Sequence, residues 1–164
     1  MTAFDHPRVR WAGRRAPAVA ATTVAAIAAL VLIGWALNVE VLKSLLHPAR
    51  VPMNPVTAVA FLLSAGALWL LRSESPTPTA RRLARALAIA VVYIAASRLA
   101  EYALGWHLGI DRLLFRARLN GNVIAPNTAF AFLLVGLSLL LLDLRTRPTA
   151  HPAPALAIAA GAIG

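Results

Sequence analysis

Two ionisable residues stand where a hydrophobic chain least tolerates them. In the run "RRLARALAIAVVYIAASRLAEYALGW", Arg98 and Glu101 are three residues apart, so in a helix they share one face. At about 1.5 Å per residue, Arg98 lies about 20 Å and Glu101 about 24 Å beyond Arg85. A bilayer's hydrocarbon layer is roughly 30 Å thick, so both fall inside it. A guanidinium and a carboxylate at this spacing can pair and lower the cost of leaving water. Such a pair is a candidate intramembrane site, with Tyr93, Ser97 and Tyr102 as nearby polar company. The plainer alternative has Arg98 reaching outward to headgroups and Glu101 lying at the interface. A second polar set stands at the head of two later apolar runs: Thr57 follows Pro55 by two residues, Thr128 follows Pro126 by two, and Asn127 lies between the latter pair. The threonine hydroxyls can bond back to a backbone carbonyl or cross to a neighbouring helix or a ligand.

Other chemistries find less to work with. The chain has no cysteine, hence no disulfide, thiolate metal site or thiol nucleophile. Haem held by imidazoles across a bundle would have to use the outer histidines His107 or His47. His107 falls where the first half of the chain has Ala36, so no symmetric ligand pair arises, and no cofactor or metal is expected.

The elements that must carry these residues follow from composition. Hydrophobic residues make up 60% of the 164, against roughly 45–50% in soluble domains. Four runs approach the roughly 20 apolar residues a span requires: about 17–37, 55–71, 83–104 and 126–142. A fifth opens at Pro154 and ends after 11 residues, which reads as the start of a truncated span. The first run follows basic residues as a signal peptide does, but its length and the lack of a clear cleavage site favour a retained helix. The expected fold is an all-α, polytopic transmembrane helical bundle. Its expected parts are a basic tail (1–15), a two-helix unit (16–72), a linker (73–82), a second unit (83–143), a linker (144–153) and the fifth run (154–164).

The net charge of +10 falls in blocks. Arg8, Arg10, Arg14 and Arg15 precede the first span; Arg72, Arg81, Arg82 and Arg85 lie around the turn between the second and third; Arg145 and Arg147 follow the fourth. By the positive-inside rule the N-terminus is cytoplasmic and the loops holding Lys43 and Arg116 are outside. Orientation and anionic lipid account for these blocks, and no nucleic-acid partner is expected.

Sliding the chain on itself by 71 residues aligns its halves without a gap. Gly34-Trp35 meets Gly105-Trp106, Pro55-x-Thr57 meets Pro126-x-Thr128, and Ala60-Phe61-Leu62-Leu63 meets Ala131-Phe132-Leu133-Leu134. Each unit contains two crossings, so its copy enters with the same orientation, a parallel repeat. Trp35 and Trp106 are expected as interface anchors with their indoles among headgroups. Pro55 and Pro126 are expected as helix initiators. Arg98 and Glu101 have no counterpart in the first unit, which holds Ile27 and Leu30 there. Small residues at fourth positions, Ala21, Ala25 and Ala29 and then Ala86 and Ala90, suggest that the odd spans form the interior and the even spans surround them. The outer stretches "NVEVLKSLLHP" and "GIDRLLFRARL" read as short amphipathic caps.

"VPMNPVTAVAFLLSAGALWLLR", "GIDRLLF" and "APNTAFAFLLVGLSLLLL" resemble the N-terminal multi-span input region of bacterial PAS-associated sensor histidine kinases and some diguanylate cyclases. The first copy departs from the phrase, so Asn127 has no strict counterpart. The resemblance implies a sensory module in the bacterial inner membrane, acting as a homodimer. It would relay a bilayer, small-ligand or redox stimulus to a downstream cytoplasmic kinase or cyclase. No phosphoacceptor histidine motif, ATP lid or cyclase signature stands in this chain, so it has nothing with which to catalyse phosphoryl transfer. A small transporter or channel, or an assembly subunit, is the alternative.

Overall fold

The computed structural model describes residues 7–44, 51–73, 75–106, 108–143 and 152–163. Among them the protein is all-α, with six helices: α1 (Pro7–Leu37), α2 (Glu40–Lys43), α3 (Pro55–Leu71), α4 (Pro78–Leu104), α5 (Pro126–Asp143) and α6 (Pro152–Ile163). Two are long and apolar enough to cross a membrane, the Ala16–Leu37 part of α1 and all of α4. The apolar stretches of α3 and α5 are shorter.

Local chemistry sets the helix starts. Pro55 opens α3, and the preceding Asn54 side chain accepts from Val56 N at 2.9 Å. Proline has no N–H to leave unpaired, and the asparagine satisfies one of the orphan donors that remain. Thr77 does the same for α4, accepting from Ala80 N at 3.2 Å ahead of Pro78. The helix therefore starts before the apolar run that begins at Leu83 and takes Arg81 and Arg82 into its first turns. Pro126 opens α5. At its other end α4 stops on Gly105, whose φ of 67° is a left-handed cap that glycine adopts without steric cost.

α1 with α3, and α4 with α5, form successive hairpins, and α6 packs on α5. Phe61 and Phe132, which correspond under the 71-residue shift, meet edge to face, centroids 4.8 Å apart. Apolar layers stack along the bundle. One joins Ala28, Val31 and Trp35 to Ala58; the next joins Ala60 to Val91, Ala95 and Phe132; a third joins Ala67 to Ala84, Ala88 and Leu139.

The interior differs from the expected one. α3, an even-numbered span, is the central helix and touches α1, α4 and α5. Its Ala58, Ala60, Ser64, Ala65 and Ala67 are buried, and their small side chains let three neighbours approach one axis. On α4 the inward face runs through Ala84, Ala88, Val91 and Ala95, while Ala86 is exposed. The second cap is shorter than expected, two 3-10 turns, Ile110–Arg112 and Arg116–Arg118; of the first, the part within the described residues holds the single turn of α2.

Candidate functional site

The loops joining α1 to α3 and α4 to α5 lie at the same end of the bundle and are laced together. Asn54 Nδ2 donates to Asn122 O (3.1 Å), and Asn122 Nδ2 donates to Pro52 O (2.6 Å). Arg118 Nη1 donates to the carbonyls of Trp35 (3.0 Å) and Ala36 (3.1 Å) at the C-terminal end of α1. A cation there satisfies orphan carbonyls and complements the helix dipole.

Beneath this lacing lies the Arg98–Glu101 pair. Both residues are buried, at 9% and 8% exposure, and their side chains are ion-paired through Arg98 Nη1 and Glu101 Oε2. Each of the other polar atoms has a partner as well. Arg98 Nε donates to Ile124 O (3.1 Å), and Nη2 donates to Tyr102 Oη (2.8 Å). Tyr102 Oη donates to the same Ile124 carbonyl (3.0 Å), and Gly109 N donates to Glu101 Oε1 (2.5 Å). The guanidinium also lies 4.3 Å from the Tyr102 ring centroid. Each charge is therefore answered by an opposite charge and by backbone atoms, the arrangement a buried pair requires. The helix of α4 makes this local: 98, 101 and 102 sit at i, i+3 and i+4. Gly109, with φ 66°, turns the loop back over the pair.

An open cleft of about 280 Å³ lies beside the pair, walled by Arg98, Glu101, Tyr102, Trp106 and Arg112. Its walls include cations, a carboxylate, a phenol and an indole, but the surface they turn to the cleft is mainly apolar, because the charges of the pair are engaged with each other and with the loop. A ligand competing for Arg98 or Glu101 would free a loop atom in exchange.

The other residues singled out in the sequence disperse. Tyr93 is 66% exposed, unlike the buried pair. Thr57 is buried in the first turn of α3; Thr128 is half-buried and Asn127 exposed in that of α5. Pro55 and Pro126 begin their helices as expected. Trp106 is 58% exposed at the cleft's edge. Trp35 departs from its expected place among headgroups: it is 2% exposed, and its indole N–H donates to Met53 O at 2.8 Å. The ring is covered by Phe115, at 6.1 Å, and by the Lys43 ammonium, 4.7 Å from its centroid. His47 and His107 lie outside the described residues, as do His6 and His151. Among the described residues no group of three metal-ligating side chains occurs.

Sequence reasoning missed Lys43, Asn54, Asn122 and Arg118. Asn54 carried a readable signal, an N-cap residue immediately before a helix-opening proline. Asn122 lies in an Asn-Gly-Asn stretch that reads only as a turn. Lys43 is buried, its Nζ donating to Asn38 Oδ1 (2.8 Å) and paired with Glu40 (2.6 Å). Comparison with protein-family profiles, curated proteins and solved structures gives no match.

Proposed function

We propose that the protein is a membrane-embedded sensory input module: a multi-pass bundle in a bacterial inner membrane, N-terminus cytoplasmic, that passes a stimulus to a cytoplasmic kinase or cyclase. The observation that carries this reading is the saturation of the Arg98–Glu101–Tyr102 set by loop backbone. The three side chains project from α4, whose other end bears Arg81, Arg82 and Arg85. Anything that alters the outer loop alters what holds α4, and a rigid helix of 27 residues carries the change about 40 Å to the opposite end. A stimulus acts by favouring one loop–helix arrangement over another. The bilayer setting is supported by helices that are apolar yet outward-facing: 17% of the apolar window in α1 and 28% of that in α4 is buried, too little for core helices of a water-soluble fold. The resemblance of "GIDRLLF" and "APNTAFAFLLVGLSLLLL" to sensor-kinase input regions supports the same conclusion.

The test is a chimera in which the chain precedes a histidine-kinase catalytic region and membrane autophosphorylation is read. Arg98→Ala and Glu101→Gln are expected to move the basal output severalfold, and Tyr93→Ala, on an exposed face, to leave it unchanged. Unaltered output from Arg98 and Glu101 variants that still reach the membrane overturns the proposal.

A further inference from the structure

At the opposite end of the bundle from the loops, an apolar groove of about 450 Å³ runs over α3 between α1 and α4. Ala21, Thr22 and Ala25 form one wall, Leu83 and Leu87 the other, and α3 the floor from Leu62 to Leu70. The eight steps from Leu62 to Leu70 rise about 12 Å. One leaflet of a hydrocarbon layer roughly 30 Å thick is about 15 Å deep, so the groove matches the inner leaflet. It ends in a cation: the Arg72 guanidinium lies 3.6 Å from the centroid of the Trp69 ring, itself part of the groove and 39% exposed. A guanidinium stacked this way keeps its N–H edge free for planar, two-pronged bonding to a phosphate. Among the described residues Arg72 has no carboxylate partner, and Arg82 adds exposed positive charge beside Leu83.

We propose that this groove binds one anionic phospholipid of the cytoplasmic leaflet, an acyl chain lying along Ala25, Leu62 and Gly66 and the phosphate on Arg72. The inference rests on the membrane reading above. A basic residue at the inner mouth of an interhelical groove is a site for acidic headgroups. A partner helix fits less well. An apolar partner helix would leave the Arg72 guanidinium at the groove's end without an anion. The groove's single hydroxyl, Thr22, is also spent on its own helix, donating to Ala18 O (2.8 Å) and Val19 O (3.0 Å).

The experiment reconstitutes the full chain in phosphatidylcholine vesicles containing one fifth brominated phosphatidylglycerol or one fifth brominated phosphatidylcholine. Trp69 emission is taken as the difference between the protein and its Trp69→Phe variant. Brominated phosphatidylglycerol is expected to quench Trp69 at least twice as strongly. Arg72→Gln is expected to abolish that preference while leaving quenching by phosphatidylcholine, and Thr22→Phe, which fills the groove, to reduce both. Equal quenching by the two lipids, an Arg72→Gln protein that keeps the preference, or a Trp69 that neither lipid reaches because a second copy covers it would each overturn the site. Recovery of the chain as a soluble species without detergent would instead overturn the membrane reading.

Discussion

The loop ends of the two halves perform one task with different residues. In each, the carbonyl two residues before the helix-opening proline is clamped, Met53 O ahead of Pro55 and Ile124 O ahead of Pro126. In each, a cation lies over an aromatic ring and pairs with a glutamate three residues away: Lys43, Trp35 and Glu40 in the first, Arg98, Tyr102 and Glu101 in the second. None of these six residues occupies a position equivalent to its counterpart under the 71-residue shift. The first clamp borrows its cation from the loop, and its glutamate side chain is 66% exposed; the second takes everything from within α4, and its glutamate side chain is 6% exposed. The repeated glycine divides in the same way. Gly34 is helical, and a Cβ there would stand 2.6 Å from Leu42 Cβ and 2.9 Å from Lys43 N, whereas Gly105 has open space but a φ of 67°. One glycine is needed for close approach and the other for backbone freedom. The two halves share letters and a task, but different letters perform it.

The contrast is sharpest when each cation is removed. Arg98→Met strands a buried carboxylate, for which a loss of about 3–5 kcal/mol is expected. Lys43→Met leaves Glu40 in water, and about 1 kcal/mol is expected. Both are measurable as unfolding midpoints in detergent by circular dichroism. Giving the second repeat the first repeat's residues, Arg98→Ile with Glu101→Leu, should recover most of the loss because no charge is left unpaired. Equal losses from the two single variants would break the comparison. The glycines form the next pair. Gly34→Ala should cost about 1–3 kcal/mol by overpacking against α2. Gly105→Ala should cost about 1–2 kcal/mol through left-handed strain. Asparagine, which tolerates that conformation, should restore stability at Gly105 and worsen it at Gly34.

Much of this architecture was readable where its causes are local. Pro55 and Pro126 mark helix starts because a proline's missing N–H matters only one turn deep. The Arg98–Glu101 pair could be expected because three residues of helix bring two side chains together whatever surrounds them. The 71-residue repeat was visible because Gly-Trp and Pro-x-Thr recur in register. What remained hidden depends on distant partners. Asn54 and Asn122 are 68 residues apart, and nothing in either neighbourhood names the other. The centrality of α3 is a property of three neighbours, so the fourth-position alanines of α1 and α4 were only a partial guide: Ala21 is buried, but Ala86 faces out and Ala25 lines a groove. The second cap failed as one amphipathic helix because Phe115 within it is left-handed and breaks the helical path.

Trp35 and Trp106 give the smallest and most discriminating contrast. Both follow the repeated glycine, and by composition both suit a membrane interface. Trp35 instead gives its N–H to a carbonyl 18 residues away and is sealed by Lys43 and Phe115. Phenylalanine fills most of the same space but cannot donate, so Trp35→Phe should cost about 1 kcal/mol for the lost bond to Met53. Trp106→Phe removes no hydrogen bond seen among the described residues and should fall within about 0.5 kcal/mol of the parent protein. Emission spectra of the two variants separate the environments directly. Loss of Trp35 should remove a component that acrylamide cannot quench, and loss of Trp106 one that it quenches readily. If acrylamide reached both equally, Trp35 would be the interface anchor its sequence position suggests, and the first repeat would lack the clamp that makes it the functional counterpart of the second.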